Sequence, residues 1–189
     1  MADRHLIEAI QHVSLSMFRK NFFGVYHGSI SARIDTGSFL INKKEAIFDE
    51  IMPESLIRTE SDNPDYSHNI ASIDTPIHEE VYREIPHAKY IAYTMPPYVT
   101  AYALAHDVFV PRDYFGHEMI GEIAIYDPQH FSDWYDRAPH AIANHFKTHP
   151  GHLMLVRGYG VYAYDRDLGD MAKKIAILEN SARLLMLAG

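Results

Sequence analysis

The chain has 189 residues, of which 47% are hydrophobic and 22% charged, and this composition predicts one folded domain over residues 1–189. The formal net charge of −8 argues against nucleic-acid binding, which needs lysine and arginine to neutralise phosphates. The absence of cysteine excludes thiolate metal sites, a cysteine nucleophile and disulfides. No apolar run approaches the roughly 18 residues of a membrane span, and the N-terminal residues lack a signal-peptide pattern. We therefore expect a soluble cytoplasmic protein that binds neither membranes nor nucleic acid.

Hydrophobic periodicity predicts helices alternating with short strands. In chain order, the predicted elements are a helix over 6–18, strands at 28–34 and 38–41, an irregular polar segment over 42–72 with a turn at 62–65, a helix from 75 that ends before 86, a strand at 90–93, a helix over 97–105, strands at 108–110 and 123–125, a helix over 139–148, strands at 152–156 and 161–164, and a C-terminal helix with an apolar stripe over 171–185. The 28–34 strand alternates apolar and polar residues and is therefore expected to be half-buried. Strands flanked by helices indicate an α/β layered domain.

The order of the sequence motifs resembles the class II aldolase/adducin family, best known for fuculose-phosphate aldolase-like and ribulose-phosphate epimerase-like enzymes. The motifs that carry the resemblance are GSISAR, FLIN, a helix that starts through Ser72-Ile73-Asp74, YIAYTMPPYVTAYAL, LMLVRGYGVYAY and a last helix containing Glu179. This resemblance covers nearly the whole chain. It implies a three-layer α/β/α fold around a mostly antiparallel central sheet. It also implies a cyclic homotetramer with active sites between subunits.

The same resemblance implies that the zinc site of the family enzymes is altered in this chain. In those enzymes three histidines hold a zinc ion that polarises the carbonyl group of a keto-sugar phosphate. The corresponding positions here are Tyr93, Met95 and Tyr159. Tyrosine binds metal only as phenolate, and its pKa near 10 opposes ionisation, while the methionine thioether is a soft donor suited to Cu(I). We therefore expect no metal cofactor, with the two tyrosines filling the space and bonding to each other, to backbone or to water.

The resemblance also identifies candidate catalytic and substrate-binding residues. Asp74 matches the catalytic glutamate of the family, although it precedes Thr75-Pro76 and has an alternative role in starting the helix, with Thr75 as cap. Candidate substrate-binding residues are Ser29, Asn42 and Ser72. The family's Thr-Gly turn is replaced by Lys44-Glu45, and a glutamate would repel a phosphate. We therefore expect weak affinity for sugar phosphates.

Thirteen histidines leave open a substitute metal site. His145, His149 and His152 are close in sequence, and the alternative is that they are ordinary surface histidines. The resemblance places His27 close to the altered pocket. In the sequence, His68 and His78 lie on either side of Asp74.

Three functions remain open. The first is a non-catalytic oligomeric binding or regulatory module. The second is a metal-free enzyme in which Asp74, Tyr93 and Tyr159 supply the acid, base or oxyanion donors. The third is an aldehyde-lyase or epimerase-type enzyme on a small sugar or sugar phosphate that uses a substitute metal site.

Overall fold

The computed structural model describes residues 2–25, 27–60 and 69–188. Within these ranges the helices are α1 (Ala2–Phe18), α2 (Thr75–Glu84), α3 (Pro97–Ala105), α4 (Tyr114–Met119), α5 (Trp134–Thr148) and α6 (Leu168–Ala188), with a short 3-10 helix at Pro53–Ser55. The strands are β1 (Ser29–Arg33), β2 (Ser38–Asn42), β3 (Leu56–Glu60), β4 (Tyr90–Thr94), β5 (Val108–Phe109), β6 (Ile123–Tyr126), β7 (Leu153–Val156) and β8 (Gly160–Asp165). In the part of the chain so described, no helix is both long and apolar enough to cross a membrane.

The strands form one eight-stranded sheet in the order β3-β2-β1-β4-β8-β7-β6-β5. Within this sheet β6 and β7 pair in parallel, and the other neighbouring strands pair antiparallel. The expectation of a mostly antiparallel central sheet is therefore confirmed.

Helices cover both faces of the sheet, because successive strand residues point to opposite faces and both sets are apolar. On one face α1, α3 and α6 enclose a core that includes Ile10, Val99 and Leu178. On the other face α2 and α5 enclose a second core that includes Ile77 and Ile142. This arrangement confirms the three-layer α/β/α fold.

The structure corrects several predicted elements. Segment 42–72 was expected to be irregular, yet it contains β3, which pairs with β2 along all five residues. This edge strand forms through pairing rather than through a clear alternation of its own. The short helix α4 was not predicted. The helix expected over 139–148 begins earlier, at Trp134. Pro139 lies inside it, where it removes one backbone donor but does not end the helix.

The prediction that the first strand is half-buried is wrong. Ser29 and Ser31 are fully buried, because α2 covers the face to which they point. Two polar side chains are thus enclosed in the centre of the fold, where they need hydrogen-bond partners. The predicted turn at 62–65 and His68 lie outside the described residues.

Candidate functional site

The candidate site lies on the face of the sheet that α2 and α5 cover. Three neighbouring strands place side chains there in register, because Ser29 of β1 pairs with Tyr93 of β4, and Tyr93 pairs with Tyr162 of β8. The start of α2 brings Asp74 against this row. The site is therefore built from residues far apart in sequence.

Asp74 turns its carboxylate into the sheet rather than onto its own helix. It occupies the N-cap position of α2, but its side chain makes no capping hydrogen bond. Oδ2 accepts a hydrogen bond of 2.7 Å from Ser29 Oγ, and Oδ1 faces the Tyr162 hydroxyl at 3.5 Å. His27 Nε2 lies 3.2 Å from Oδ2 without the alignment of a hydrogen bond. Asp74 therefore lies at the helix start, as one interpretation predicted, but its carboxylate does not cap the helix.

Thr75 is also not the cap of α2, which was the predicted role. It is the first helical residue, and its hydroxyl donates to the Ser72 carbonyl oxygen at 2.6 Å. This bond holds the turn that precedes the helix.

The three predicted substrate-binding residues lie together beside Asp74, and the fold itself uses their polar groups. Asn42 Oδ1 accepts from the Ile30 amide at 2.8 Å, and its Nδ2 donates to the carbonyl oxygens of Gly28 and Lys43. Ser72 Oγ accepts from the Asp74 amide at 3.3 Å. Since Ser29 donates to Asp74, these groups are engaged within the protein.

An aromatic cluster occupies the centre of the site. The ring centroids of Tyr93 and Tyr159 lie 4.6 Å apart, and those of Tyr93 and Tyr162 lie 4.9 Å apart. The Tyr93 hydroxyl donates to the Tyr159 carbonyl oxygen at 2.7 Å, and the Tyr159 hydroxyl bonds to that of Tyr135. The expectation that Tyr93 bonds to backbone is confirmed, although the two predicted tyrosines do not join their hydroxyls.

Glycine at position 160 permits this cluster to pack closely. Its φ of +151° is a conformation that other residues rarely adopt. A Cβ there would collide with the Thr94 carbonyl oxygen and lie 3.0 Å from the Tyr93 ring and 3.2 Å from Met95. The Gly158-Tyr159-Gly160 turn thereby brings the Tyr159 ring beside that of Tyr93.

The electrostatics of the cluster keep the phenols of Tyr135, Tyr159 and Tyr162 protonated. Burial, followed by the nearby charge of Asp74, raises the pKa of Tyr159 and of Tyr162 well above the ordinary value. The same two causes raise the pKa of Tyr135 to about 12. Protonated phenols and the neutral Met95 thioether are poor ligands for Zn²⁺, which prefers imidazole, thiolate or carboxylate. The donor set of Tyr93, Met95 and Tyr159 therefore does not fit zinc.

The three histidines that the sequence left open as a substitute metal site make two separate contacts. The rings of His145 and His149 stack at 4.3 Å, while His152 Nδ1 lies 3.0 Å from Asp165. His145 is buried, so the alternative of an ordinary surface histidine is wrong at this position. Across residues 2–25, 27–60 and 69–188, the structure contains no group of three or more His, Asp or Glu side chains arranged to hold a metal ion.

Sequence reasoning missed several members of the site, namely Ser31, Tyr82, Trp134, Tyr135 and Tyr162. Strand alternation could have placed Tyr162 on the same face as Tyr164, two residues later. Its position opposite Tyr93 follows only from the strand register of the structure. The sequence did not identify Trp134 and Tyr135, because the predicted helix began five residues too late.

Comparison with known proteins agrees with this architecture. The sequence matches the family described as "Class II Aldolase and Adducin N-terminal domain" over residues 8–186, and the chain belongs to this family. No curated protein matches the sequence.

Solved structures show the same fold. L-fuculose-1-phosphate aldolase from Thermus thermophilus has a TM-score of 0.85 at 24% identity, over 97% of this chain and 93% of that one. YgbL from Escherichia coli has a TM-score of 0.86 at 18% identity, over 100% and 92%. A sugar-phosphate aldolase from Thermotoga maritima has a TM-score of 0.72 at 17% identity, over 100% and 98%. At such identities the likeness establishes the fold and not the activity.

Proposed function

We propose that this protein is a non-catalytic member of its family that acts as an oligomeric binding or regulatory module. The observation that carries the proposal is the filled site: Asp74, Tyr93 and Tyr162 are all buried, and Tyr162 contacts both the carboxylate and the Tyr93 ring where a substrate would have to approach. A group that cannot touch substrate cannot act as its acid or base.

The chemistry of the surrounding residues supports the same conclusion. The positions that the resemblance assigns to the zinc ligands hold Tyr93, Met95 and Tyr159, whose donors do not fit zinc. The polar groups of Ser29 and Asn42 are taken by Asp74 and by backbone, so they are not free to hold a phosphate. We therefore expect this chain to bind zinc and phosphate more weakly than the family enzymes that it resembles.

The surface beside the site supports an oligomer. Leu104 is 62% exposed and Phe131 is 58% exposed, and both side chains flank Gly158 at the edge of the aromatic cluster. Val25, two residues before His27, is 64% exposed. Apolar side chains gathered next to a functional site are typical of a surface that another molecule covers. We propose that second copies of this chain cover it, with the homotetramer implied by the resemblance as the expected assembly.

A metal-free enzyme is the second candidate, and the contact between His27 and Asp74 favours it. The His27 side chain is 17% exposed, so it connects the buried carboxylate with solvent. If the aromatic cluster opens, Asp74 could act as a base while Tyr159 donates a hydrogen bond to a developing oxyanion. The substitute-metal enzyme is the third candidate, and it requires ligands recruited from separate parts of the fold.

The decisive experiment combines metal content with activity on protein purified without a histidine tag. We expect far less than one zinc per subunit, no retro-aldol or epimerase activity on small sugar phosphates, and no micromolar binding of dihydroxyacetone phosphate in calorimetry. The triple variant Tyr93→His, Met95→His, Tyr159→His serves as the positive control for zinc loading.

Each alternative gives a different result. Activity that survives a chelator but disappears in Asp74→Asn supports the metal-free enzyme, with the exposed carboxylate variant Asp170→Asn as matched control. Stoichiometric zinc and loss of activity with chelator support the substitute-metal enzyme. Light scattering after gel filtration tests the tetramer separately.

A further inference from the structure

A row of buried side chains from β1 and α2 runs from Asp74 across the sheet. The Tyr82 hydroxyl lies 2.8 Å from Ser31 Oγ, which lies 2.6 Å from His78 Nδ1. On the other side of the imidazole ring, His78 Nε2 lies 2.9 Å from Ser29 Oγ, which donates to Asp74 at 2.7 Å. All five side chains are buried. The four contacts form an unbroken row of short hydrogen bonds.

Counting hydrogen atoms gives this row a direction. An ionised carboxylate only accepts, a hydroxyl donates once, and a neutral imidazole carries one N–H. Since Ser29 gives its hydrogen to Asp74, it must accept from Nε2–H of His78. His78 Nδ1 then accepts from Ser31, and Ser31 accepts from Tyr82. One arrangement therefore satisfies all four bonds, with His78 as the Nε2–H tautomer.

The surroundings keep His78 neutral. Burial lowers its pKa to about 4, the nearby Asp74 carboxylate opposes that effect, and a charged His27 would add to it. From β1 it faces the neutral hydroxyls of Ser29 and Ser31, and from its own helix the Tyr82 hydroxyl completes the row. Burial also raises the pKa of Tyr82 above its ordinary value, so this phenol keeps its proton.

The Tyr82 end of the row reaches a second polar region. The Tyr82 hydroxyl has the Lys89 carbonyl oxygen as an alternative acceptor at 3.3 Å, and the Arg33 guanidinium lies 4.7 Å from the centre of the Tyr82 ring. Arg33 and Lys89 are half-buried at the edge of this region. At the opposite end, His27 lies between Asp74 and solvent.

We propose that Tyr82, Ser31, His78, Ser29 and Asp74 form a proton relay that links the Lys89 edge of the protein to the carboxylate of the candidate site. A proton from solvent reaches the Tyr82 oxygen as Tyr82 passes its own to Ser31. Ser31 then protonates His78 Nδ1, Nε2 gives its proton to Ser29, and Ser29 protonates Asp74. Only O–H and N–H bonds form and break, and one proton enters the row. Asp74 ends as a neutral acid, and His78 ends as the Nδ1–H tautomer.

The relay stands independently of the proposed function, because it concerns the buried row and not zinc or sugar phosphates. The tautomer of His78 is its direct readout, since it reports the direction of the row. Nitrogen-15 NMR of imidazole-labelled protein distinguishes a protonated ring nitrogen from an unprotonated one. At neutral pH we expect a protonated Nε2 and an unprotonated Nδ1.

Variants then test whether Asp74 sets the direction. In Asp74→Ala the terminal acceptor is lost, so both tautomers become populated and the two nitrogen resonances of His78 shift towards each other. Ser29→Ala cuts the row one bond earlier and gives the same result by a second route. Tyr82→Phe is the matched control, because Ser31 can still donate to Nδ1 and the Nε2–H tautomer persists.

Three results would overturn the relay. They are an Nδ1–H tautomer in the wild type at neutral pH, a doubly protonated His78 at neutral pH, and an unchanged Nε2–H tautomer in whichever of Asp74→Ala and Ser29→Ala folds.

Discussion

We expect acidification to destabilise this protein over the pH range in which the buried side chain of His78 differs in protonation between the folded and unfolded states. An unfolded histidine has a pKa of 6.5, whereas burial lowers that of His78 to about 4 in the folded state. Between these two pH values the unfolded chain binds a proton that the folded chain does not bind. The stabilising contribution is therefore fully present above pH 6.5 and is lost as pH falls towards 4. The difference corresponds to roughly 3 kcal/mol of unfolding free energy for His78 alone.

Urea unfolding at several pH values between 7 and 4.5 measures this loss. The chain has a single tryptophan, Trp134, which is 1% exposed, so its fluorescence reports unfolding. The variant His78→Gln keeps a donor and an acceptor but does not titrate. Its unfolding free energy should fall less steeply with decreasing pH than that of the wild type, by up to about 1.4 kcal/mol per pH unit.

Other titrating groups can be separated from His78. Burial and the neighbouring His149 lower the pKa of His145 to about 4, so the variant His145→Gln gives the second contribution in the same range. Asp165 acts at lower pH, because hydrogen bonds from Lys174 and His152 outweigh its burial and lower its pKa to about 2. Parallel stability curves for the wild type and His78→Gln would refute the reasoning.

Three further predictions concern single residues that hold backbone groups in place, and each is measured as the change in unfolding free energy in urea. Gly160→Ala forces a Cβ against the Thr94 carbonyl oxygen and should cost about 2 kcal/mol or more. At Gly158 the φ is +66° and the nearest atom would lie 3.2 Å from the added Cβ, so Gly158→Ala should cost about 1 kcal/mol. Equal costs would contradict this account of the turn. Asn42→Ala leaves three backbone groups without their partner and should cost about 2–3 kcal/mol. The same substitution at an exposed asparagine should cost much less. Glu179→Ala removes the carboxylate that accepts from two amides at the start of α3 and should cost about 1 kcal/mol; an unchanged stability would show that water replaces the cap.

The fold was predictable where one residue pattern decides one element. Apolar spacing located α1 and α6, and the Thr75-Pro76 start located α2. Elements that depend on partners were not predictable, because β3 forms by pairing with β2 and α4 packs against α6. Pattern reasoning also assumes that a polar residue in a strand faces water, and β1 breaks this assumption.

Several residues of the candidate site could be identified from the sequence, but the contacts between them could not. Ser29, Asn42 and Asp74 do lie together, as the resemblance implied. Their hydrogen bonds could not be deduced, because the orientation of Asp74 depends on three strands and a helix meeting in space. The position of Tyr162 opposite Tyr93 likewise depends on strand register.

The aromatic cluster and the proposed relay lie on two sides of the Asp74 carboxylate. A buried carboxylate is costly unless hydrogen bonds satisfy it, and Asp74 receives one from Ser29 and faces Tyr162 and His27. In the proposed relay His78 donates to Ser29, and this leaves the Ser29 hydrogen atom for Asp74. The protonated aromatic cluster excludes water from one side of the carboxylate, while the relay satisfies it from the other. Removing one side chain of the row leaves the next one without a hydrogen-bond partner. The burial of Asp74 and the relay therefore depend on each other.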